Sequence, residues 1–337
     1  MTWVAWRQHR LQLLLGAAAV TALALFLIPT GLDMSHFFTS SGLARCLRAG
    51  GAVGGADCGQ LDEAFGSRYG GYAFLVPLFL VAPVLFGIFF GAPLIAREID
   101  SGTYRLAWTQ GVTRPRWLTR KLAMVVGAAA AGSVSLAYLV TWWSRPLVAN
   151  SGKRFQFGIF DLRGVVPIGY AIFAVMLGIA IGAVIKKTLP AIGLTLVGFA
   201  AVRVGIEFFV RQHYLAAKTT TQSFFADGPL SGRQSWVISQ NTIDRLGHVI
   251  SRGGGLNFEY LAARCPAVAA GGPFQAKGAP GGVDVMAACV QHLGIRTSVI
   301  YQPGSRFWTF QWIEFGIFIA LAIGLGAFTL WRTKRLS

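Results

Sequence analysis

The sequence predicts an all-α polytopic membrane protein with six transmembrane helices. Of its 337 residues, 54% are hydrophobic and 13% are charged, and the charged share is about half that of an ordinary soluble domain. The apolar residues form runs of about twenty with few or no charges, the length that a helix needs to cross a bilayer. Because backbone groups in lipid must be bonded within their own segment, each run is predicted to be a helix.

The six runs are spread along the whole chain. They are Leu11–Thr30, Tyr72–Ala96, Leu122–Trp143, Val165–Ile185, Leu189–Val210 and Thr309–Trp331. A β-barrel would instead contain short alternating segments, which are absent. The first run is longer than the apolar part of a signal peptide and five more runs follow, so we interpret it as an uncleaved helix. Residues 1–10, rich in Trp and Arg, suit either a helix in the inner interface or a merely positive flank.

The distribution of Lys and Arg predicts that both termini are cytoplasmic. With the N-terminus inside, the inner segments hold 13 Lys and Arg in 44 residues, and the outer segments hold 16 in 159. This nearly threefold difference in density follows the positive-inside rule. The net charge of +17 therefore needs no nucleic-acid partner. The predicted location is the bacterial plasma membrane, crossed several times.

The four cysteines all fall in segments predicted to be outside, where disulfides persist. Cys46 and Cys58 lie in the first outer loop, and Cys265 and Cys289 lie in the third outer segment. We expect disulfides rather than free thiols; four cysteines permit three pairings, of which pairing within each loop is the simplest. No spacing typical of a metal site accompanies them.

The chain is predicted to have three parts. Residues 1–210 hold helices one to five, with an N-terminal interfacial segment and a cytoplasmic loop at 97–121. Residues 211–308 are predicted to form a disulfide-tied extracellular domain of short helices and irregular structure. Residues 309–337 hold helix six and a cytoplasmic tail. The prolines of helix two predict a kink or a break, and Gly-x-x-x-Gly motifs in helices two and four suit close helix packing.

Three ionisable residues lie inside predicted membrane helices. Arg203 and Glu207 are one turn apart in helix five and can pair, and Glu314 lies in helix six. Such groups usually face a bundle interior or a watery cavity. Two interpretations stay open: the residues clamp helix five to helix six, or they line a substrate path.

The inner loop between helices two and three contains signals for helices of its own. Thr103 can cap a short helix that Gly111 ends, and Thr113 can cap the next helix, with Pro115 in its first turn. A short capped helix on the inner face of the membrane is suited to receive force from a soluble partner.

This stretch, Ala96–Gln110, resembles the permease subunits of ABC-2 type transporters, most closely those of actinobacteria. Trp6–Arg10 and Tyr301–Glu314 (YQPGSRFWTFQWIE) support the resemblance. It implies a dimer, homomeric or heteromeric, that binds two cytoplasmic ATPase subunits and exports a hydrophobic or amphipathic drug, lipid or peptide. The residues implied to contact the ATPase are Thr103, Tyr104, Arg105, Leu106 and Trp108. Arg97 and Glu98 are implied to brace the base of helix two. The long 211–308 segment departs from the short re-entrant helices of the wider family.

The chain has no phosphate-binding loop of the G-x-x-x-x-G-K-[ST] type. It is therefore predicted to be no enzyme and to bind no cofactor itself, with ATP and Mg on the partner ATPase. Two alternatives remain: a membrane enzyme with an extracellular active site, and a membrane-anchored sensor or immunity protein. The enzyme alternative is disfavoured because the sequence contains no H-E-x-x-H and no G-x-S-x-G motif.

Overall fold

A computed structural model describes residues 2–49, 58–100, 114–151, 154–156, 158–225, 235–265 and 282–334. The chain forms two compact units. The first unit, the helical unit, contains residues 1–151, 156–214 and 308–337, and the second contains residues 152–155 and 215–307.

Helices make up the described part of the first unit. The α-helices are α1 (Thr2–Ser40), α2 (Leu43–Ala49), α3 (Cys58–Tyr69), α4 (Leu75–Phe86), α5 (Ala92–Asp100), α6 (Arg114–Trp143), α7 (Arg145–Ser151), α8 (Ile159–Leu162), α9 (Val166–Ile185) and α10 (Thr188–Gly205). Short 3-10 helices cover Gly70–Phe74 and Arg211–His213, and π-helical turns cover Gly87–Gly91 and Ile206–Val210. The last helix of the chain, Phe307–Lys334, also belongs largely to this unit.

In the part of the chain that the structure describes, six helical stretches are long and apolar enough to cross a membrane, as predicted. In chain order, these spans one to six are Leu14–Ser40, Leu78–Arg97, Thr119–Trp143, Val166–Ile185, Thr188–His213 and Gly304–Thr333. The predicted end of the first helix at Thr30 is wrong, because α1 continues to Ser40. Its added turns pack against α3, where Phe37 contacts the rings of Phe65 and Tyr69.

The turn between spans four and five is as short as the sequence suggested. Span four ends at Ile185 and α10 begins at Thr188, so only Lys186 and Lys187 connect them. Lys186 has φ +60°, the left-handed conformation that reverses a chain at a helix end. Its N–H donates to the carbonyl oxygen of Gly182.

Span two changes its helical form after Pro83, one of the prolines for which the sequence predicts a kink or a break. Pro83 lies inside α4, and four residues later the chain changes to the π-turn Gly87–Gly91 before α5 begins. Proline removes one helical hydrogen bond, and π-turns are found mostly as single bulges within helices. Span two therefore consists of three consecutive helical segments: part of α4, the π-turn and α5.

Polar contacts and a disulfide tie the ends of spans one and three to the segments beside them. The Trp143 indole N–H donates to the Thr30 hydroxyl at 3.1 Å. The Tyr69 hydroxyl donates to Asp33 at 2.8 Å, and the Cys46–Cys58 disulfide joins α2 to α3. The local pairing is thus the one found.

The second unit contradicts the prediction of an all-α protein. It holds a four-stranded antiparallel sheet of order β1-β4-β2-β3. Its elements are β1 (Lys218–Ser223), β2 (Trp236–Ile243), β3 (Val249–Arg252), α11 (Phe258–Arg264), α12 (Gly282–His292), β4 (Arg296–Gln302) and the 3-10 helix Gly304–Arg306, which leads into α13 (Phe307–Lys334). The strands are rich in Thr, Val, Ile and Ser, and β-branched side chains suit a pleated surface.

Helices α11 and α12 of the second unit pack together in a small apolar core. Leu261 of α11 and Val290 of α12 are buried there with Ile295. The second disulfide, Cys265–Cys289, joins the end of α11 to α12. The expected disulfide is present, and a sheet takes the place of the irregular structure that was predicted.

Candidate site: a buried charge cluster

Seven ionisable side chains meet where spans four, five and six converge. We call them the charge cluster; its members are Asp161, Tyr170, Arg203, Glu207, Arg211, Tyr214 and Glu314. Asp161 comes from α8, Tyr170 from span four and Glu314 from span six. The others come from span five and the residue that follows it. Ionisable groups within membrane spans are uncommon and are usually functional.

Arg211 is the centre of the charge cluster and is 3% exposed. Its Nε donates to Oε2 of Glu314 at 2.8 Å, and its Nη2 donates to Oε1 of the same carboxylate at 2.7 Å. The same Nη2 lies 2.5 Å from Oδ1 of Asp161. Its guanidinium also lies over the Phe160 ring, 4.5 Å from the centroid. The bidentate contact between Arg211 and the Glu314 carboxylate is of a type that is among the strongest side-chain interactions.

The π-turn Ile206–Val210 supplies Glu207 to the charge cluster and leads directly into Arg211. Glu207 Oε1 lies 3.4 Å from Nη1 of Arg211, four residues further on. Arg203, one turn earlier, forms an ion pair with Oδ2 of Asp161 at 3.1 Å. Side chains three or four residues apart on a helix are neighbours, so one stretch of span five provides both cations and one anion.

Asp161 is held by donors on each of its oxygens. The backbone N–H of Gly158 donates to Oδ2 at 3.2 Å, and the Tyr170 hydroxyl donates to Oδ1 at 2.8 Å. Burial alone would raise the pKa of Asp161, but the guanidinium groups of Arg211 and Arg203 lower it below the usual 3.8. Asp161 is therefore ionised at neutral pH, stabilised by its charged neighbours.

Two tyrosine hydroxyls meet the carboxylate of Glu314. The hydroxyl of Tyr214 donates to Oε2 at 3.1 Å, and the hydroxyl of Tyr170 lies against Oε1, so that its single proton is shared between Glu314 and Asp161. Burial, followed by the negative charge of Glu314, raises the pKa of Tyr214. Tyr214 thus keeps its proton and serves as a donor. With Arg211, these hydroxyls leave Glu314 fully enclosed.

Gln311 of span six forms hydrogen bonds with the backbone at the start of span four and just before it. Its Oε1 accepts hydrogen bonds from the backbone N–H groups of Val165 and Val166, both at 3.1 Å, and its Nε2 donates to the carbonyl oxygen of Phe160 at 2.9 Å. The chain turns at Gly164, where φ is +71° and an added Cβ would meet Gln311 Oε1 at 2.6 Å. A glycine at this position allows the close approach.

The charge cluster is suited to holding helices together. Three carboxylates face two guanidinium groups, and each oxygen of Asp161 and Glu314 has at least one donor. Breaking a buried pair by removing one partner is costly, because the other charge stays buried alone. Within the described residues, no group of three or more His, Cys, Asp or Glu is arranged to hold a metal ion.

The family comparison concerns the part of the chain that contains most of these elements. Residues 17–211 match the family described as ABC-2 membrane transporter related. The match covers more than half of the chain and ends at Arg211. The chain belongs to this family. None of the curated proteins matches the chain, and no solved structure matches it.

Membership of the ABC-2 membrane transporter related family confirms the resemblance to ABC-2 type permeases, while the closer likeness to actinobacterial permeases stays a prediction. The chain is a multi-pass membrane protein and a permease-like membrane component. Such components have no nucleotide-binding site of their own, and membership implies association with an ATPase subunit. The matched range contains the 97–121 loop but excludes both Trp6–Arg10 and Tyr301–Glu314, so the resemblance of these two stretches rests on the sequence alone.

The structure brings together the three residues that the sequence placed in membrane helices. Arg203, Glu207 and Glu314 all belong to the charge cluster, and Arg211 connects span five to span six through Glu314. Sequence reasoning missed Asp161 and Arg211. Their signal was weak, since both lie just outside apolar runs, where a charge is ordinary.

The predicted ATPase-coupling residues lie at the end of span two and beyond it. Arg97 is exposed near the C-terminal end of α5. The backbone of Glu98 is helical, and its side chain lies outside the described part of the structure. The same is true of the whole of Thr103, Tyr104, Arg105, Leu106 and Trp108. Their roles stay predictions.

Proposed function

We propose that the chain is the permease subunit of an ABC-2 type exporter, in which a second permease copy and cytoplasmic ATPase subunits complete the transporter. The observation that carries the proposal is the family match over residues 17–211 in a chain with six membrane spans. The proposed second copy is either identical or a related permease. ATP and Mg are bound by the ATPase, and this chain binds no cofactor.

The 97–121 loop is proposed to receive the ATPase. Two features support this role: the loop lies within the matched range, and span two leads directly into it through α5. In this proposal Thr103, Tyr104, Arg105, Leu106 and Trp108 contact the ATPase, while Arg97 and Glu98 brace the end of span two. ATP-driven movement of the loop then biases the helices between two arrangements.

The proposed cargo is a hydrophobic or amphipathic molecule such as a drug, lipid or peptide. Among the carboxylates and guanidinium groups of the cluster, Glu207 and Arg203 are the less enclosed, with side chains 9% and 12% exposed. Glu314 and Arg211 are more enclosed, at 1% and 4%. The geometry favours a clamp at Glu314, and it leaves Arg203 and Glu207 as the candidates for contact with a passing substrate.

Loop variants test the proposal. Leu106→Asp and Trp108→Ala are expected to reduce the amount of ATPase that co-purifies with the tagged chain by at least about tenfold, since apolar and aromatic residues commonly dominate docking surfaces. Arg252→Ala, an exposed position in β3 of the second unit, is the matched control and should retain the ATPase. Normal ATPase recovery with both loop variants, at equal permease levels, would overturn the coupling role of this loop.

A further inference from the structure

Spans two and four touch through four glycines. A Cβ built on Gly87 would lie 2.6 Å from the carbonyl oxygen of Ala174, and one on Gly91 would lie 2.5 Å from that of Val175. From the other side, a Cβ on Gly178 would lie 2.7 Å from the backbone nitrogen of Ala92. Each of these glycines therefore faces backbone of the opposite helix.

The contact extends towards the C-terminal ends of both helices. A Cβ on Gly182 would meet the carbonyl oxygen of Ala92 at 2.7 Å and the Ala96 Cβ at 3.4 Å. The residue numbers rise together on the two helices, so spans two and four run in the same direction. Small residues let membrane helices approach at backbone distance. With backbone against backbone, there is no flexible side chain that could absorb a displacement of one helix relative to the other.

The other end of span four belongs to the charge cluster. Tyr170, one turn into the helix, bonds to Asp161 and Glu314, and the N–H groups of Val165 and Val166 donate to Gln311. At about 1.5 Å of rise per residue, roughly 18 Å of helix separates Tyr170 from Gly182. Span four is also the most enclosed of the six spans described. Of its most apolar stretch, 67% is buried, against 11% for span one.

Aromatic packing stiffens span four between these two attachments. The Tyr170 and Phe173 rings both pack edge-on against Phe318 of span six, with centroids 4.6 and 5.2 Å apart. Phe199 of span five contacts the same two rings. Packed interiors transmit displacement because they are dense and resist compression.

From these contacts we propose that span four carries movement of the 97–121 loop to the charge cluster. The loop follows α5, α5 is held to span four at Gly178 and Gly182, and Tyr170 lies in the cluster at the opposite end of that helix. A shift of span two along its axis therefore displaces Tyr170 and Val165 relative to span six. The inference deepens the proposed function and rests on it, because the driving movement comes from a bound ATPase.

Hydrogen exchange of the complex purified with its ATPase tests this transmission. In the wild-type protein, the amides of Val165 and Val166 should exchange about tenfold faster or slower after trapping with ATP and vanadate than without nucleotide. Gly178→Ala and Gly182→Ala place a methyl group between the backbones and should reduce this change to less than about twofold. ATP hydrolysis should continue in both variants.

Two other glycines provide matched controls. An added Cβ at Gly127 in span three or at Gly193 in span five meets nothing within 4 Å, so Gly127→Ala and Gly193→Ala should behave like the wild type. If the exchange of Val165 and Val166 still changed about tenfold in the Gly178→Ala and Gly182→Ala variants, as in the wild type, the inference would be overturned.

The measurement on the wild-type protein tests the inference by itself, whether or not the glycine variants fold. Identical exchange at Val165 and Val166 in the two nucleotide states, with ATPase bound and hydrolysing, would overturn the transmission while leaving the proposed function intact. Absence of any ATPase from the wild-type preparation would overturn the proposed function, and this inference with it.

Discussion

At the level of single residues, Arg211 links span five to span six through a buried ion pair. It bonds to Asp161 and Glu314 and lies near Glu207, and it is almost wholly enclosed. A comparable-looking pair, Arg68 with Asp33, lies in the open, with both side chains 55% exposed. Water screens such exposed pairs, and they contribute little to stability.

The two arginines provide a matched comparison. Arg211→Ala is expected to lower the free energy of unfolding by about 3–5 kcal/mol, because it leaves buried carboxylates without their partner. Arg68→Ala is expected to lower it by less than about 1 kcal/mol. Unfolding in detergent, followed by tryptophan fluorescence, measures both. Similar losses for the two variants would contradict the central position of Arg211.

Asp161 should make part of the stability depend on pH. Its folded pKa is lowered below 3.8 by Arg211 and Arg203, so its contribution is complete at neutral pH. The contribution disappears as the pH falls through the folded value. Asp161→Asn should therefore be less stable than the wild type at pH 7, and the difference should shrink below about pH 4. A difference that stays constant from pH 7 to pH 3 would contradict this assignment.

How far the charge cluster could be predicted depended on where each residue lies in the chain. Arg203, Glu207 and Glu314 were noticed because a charge inside an apolar run is unusual. Asp161 and Arg211 lie outside such runs, and only the folded chain brings them together. The sequence shows that Arg203 can pair with Glu207, one turn away. In the structure Arg203 forms an ion pair with Asp161, forty-two positions earlier in the chain.

Among the elements, the long apolar helices are far easier to predict from the sequence than the short strands of the second unit. Run length alone identified the six spans, because the bilayer fixes how long a spanning helix must be. The strands of the second unit are four to eight residues long, and β4 pairs with β1 and β2, both of which lie far from it in sequence. Thus β1 pairs with β4 from Lys218↔Tyr301 to Ser223↔Arg296, a pairing that no local pattern indicates.

The disulfide of the second unit should stabilise that unit specifically. Replacing Cys265 and Cys289 with Ser releases α11 from α12 and should cost about 3 kcal/mol, as expected for a closed loop of this size. Amide exchange of Thr242 and Val299, both buried in the sheet, should rise accordingly. Replacing Cys46 and Cys58 should leave the sheet amides unchanged. Equal protection of Thr242 in all three proteins would contradict the expectation.

At the scale of the whole molecule, a membrane unit of six spans is interrupted in the chain by a second unit. Residues 215–307 of that unit separate span five from most of span six, and the family match ends at Arg211, just before them. The position of the second unit outside the cell and of both termini inside remains a prediction from Lys and Arg density. The permease assignment depends on the helical unit and the 97–121 loop.

Co-purification from native membranes tests the permease assignment most directly. The tagged full-length chain is extracted in mild detergent, and bound proteins are identified and counted by mass spectrometry, with ATP hydrolysis measured on the same sample. The account predicts an ATPase with a phosphate-binding loop, one per permease chain, and hydrolysis that vanadate inhibits. A folded chain with both disulfides formed and no bound ATPase would contradict it.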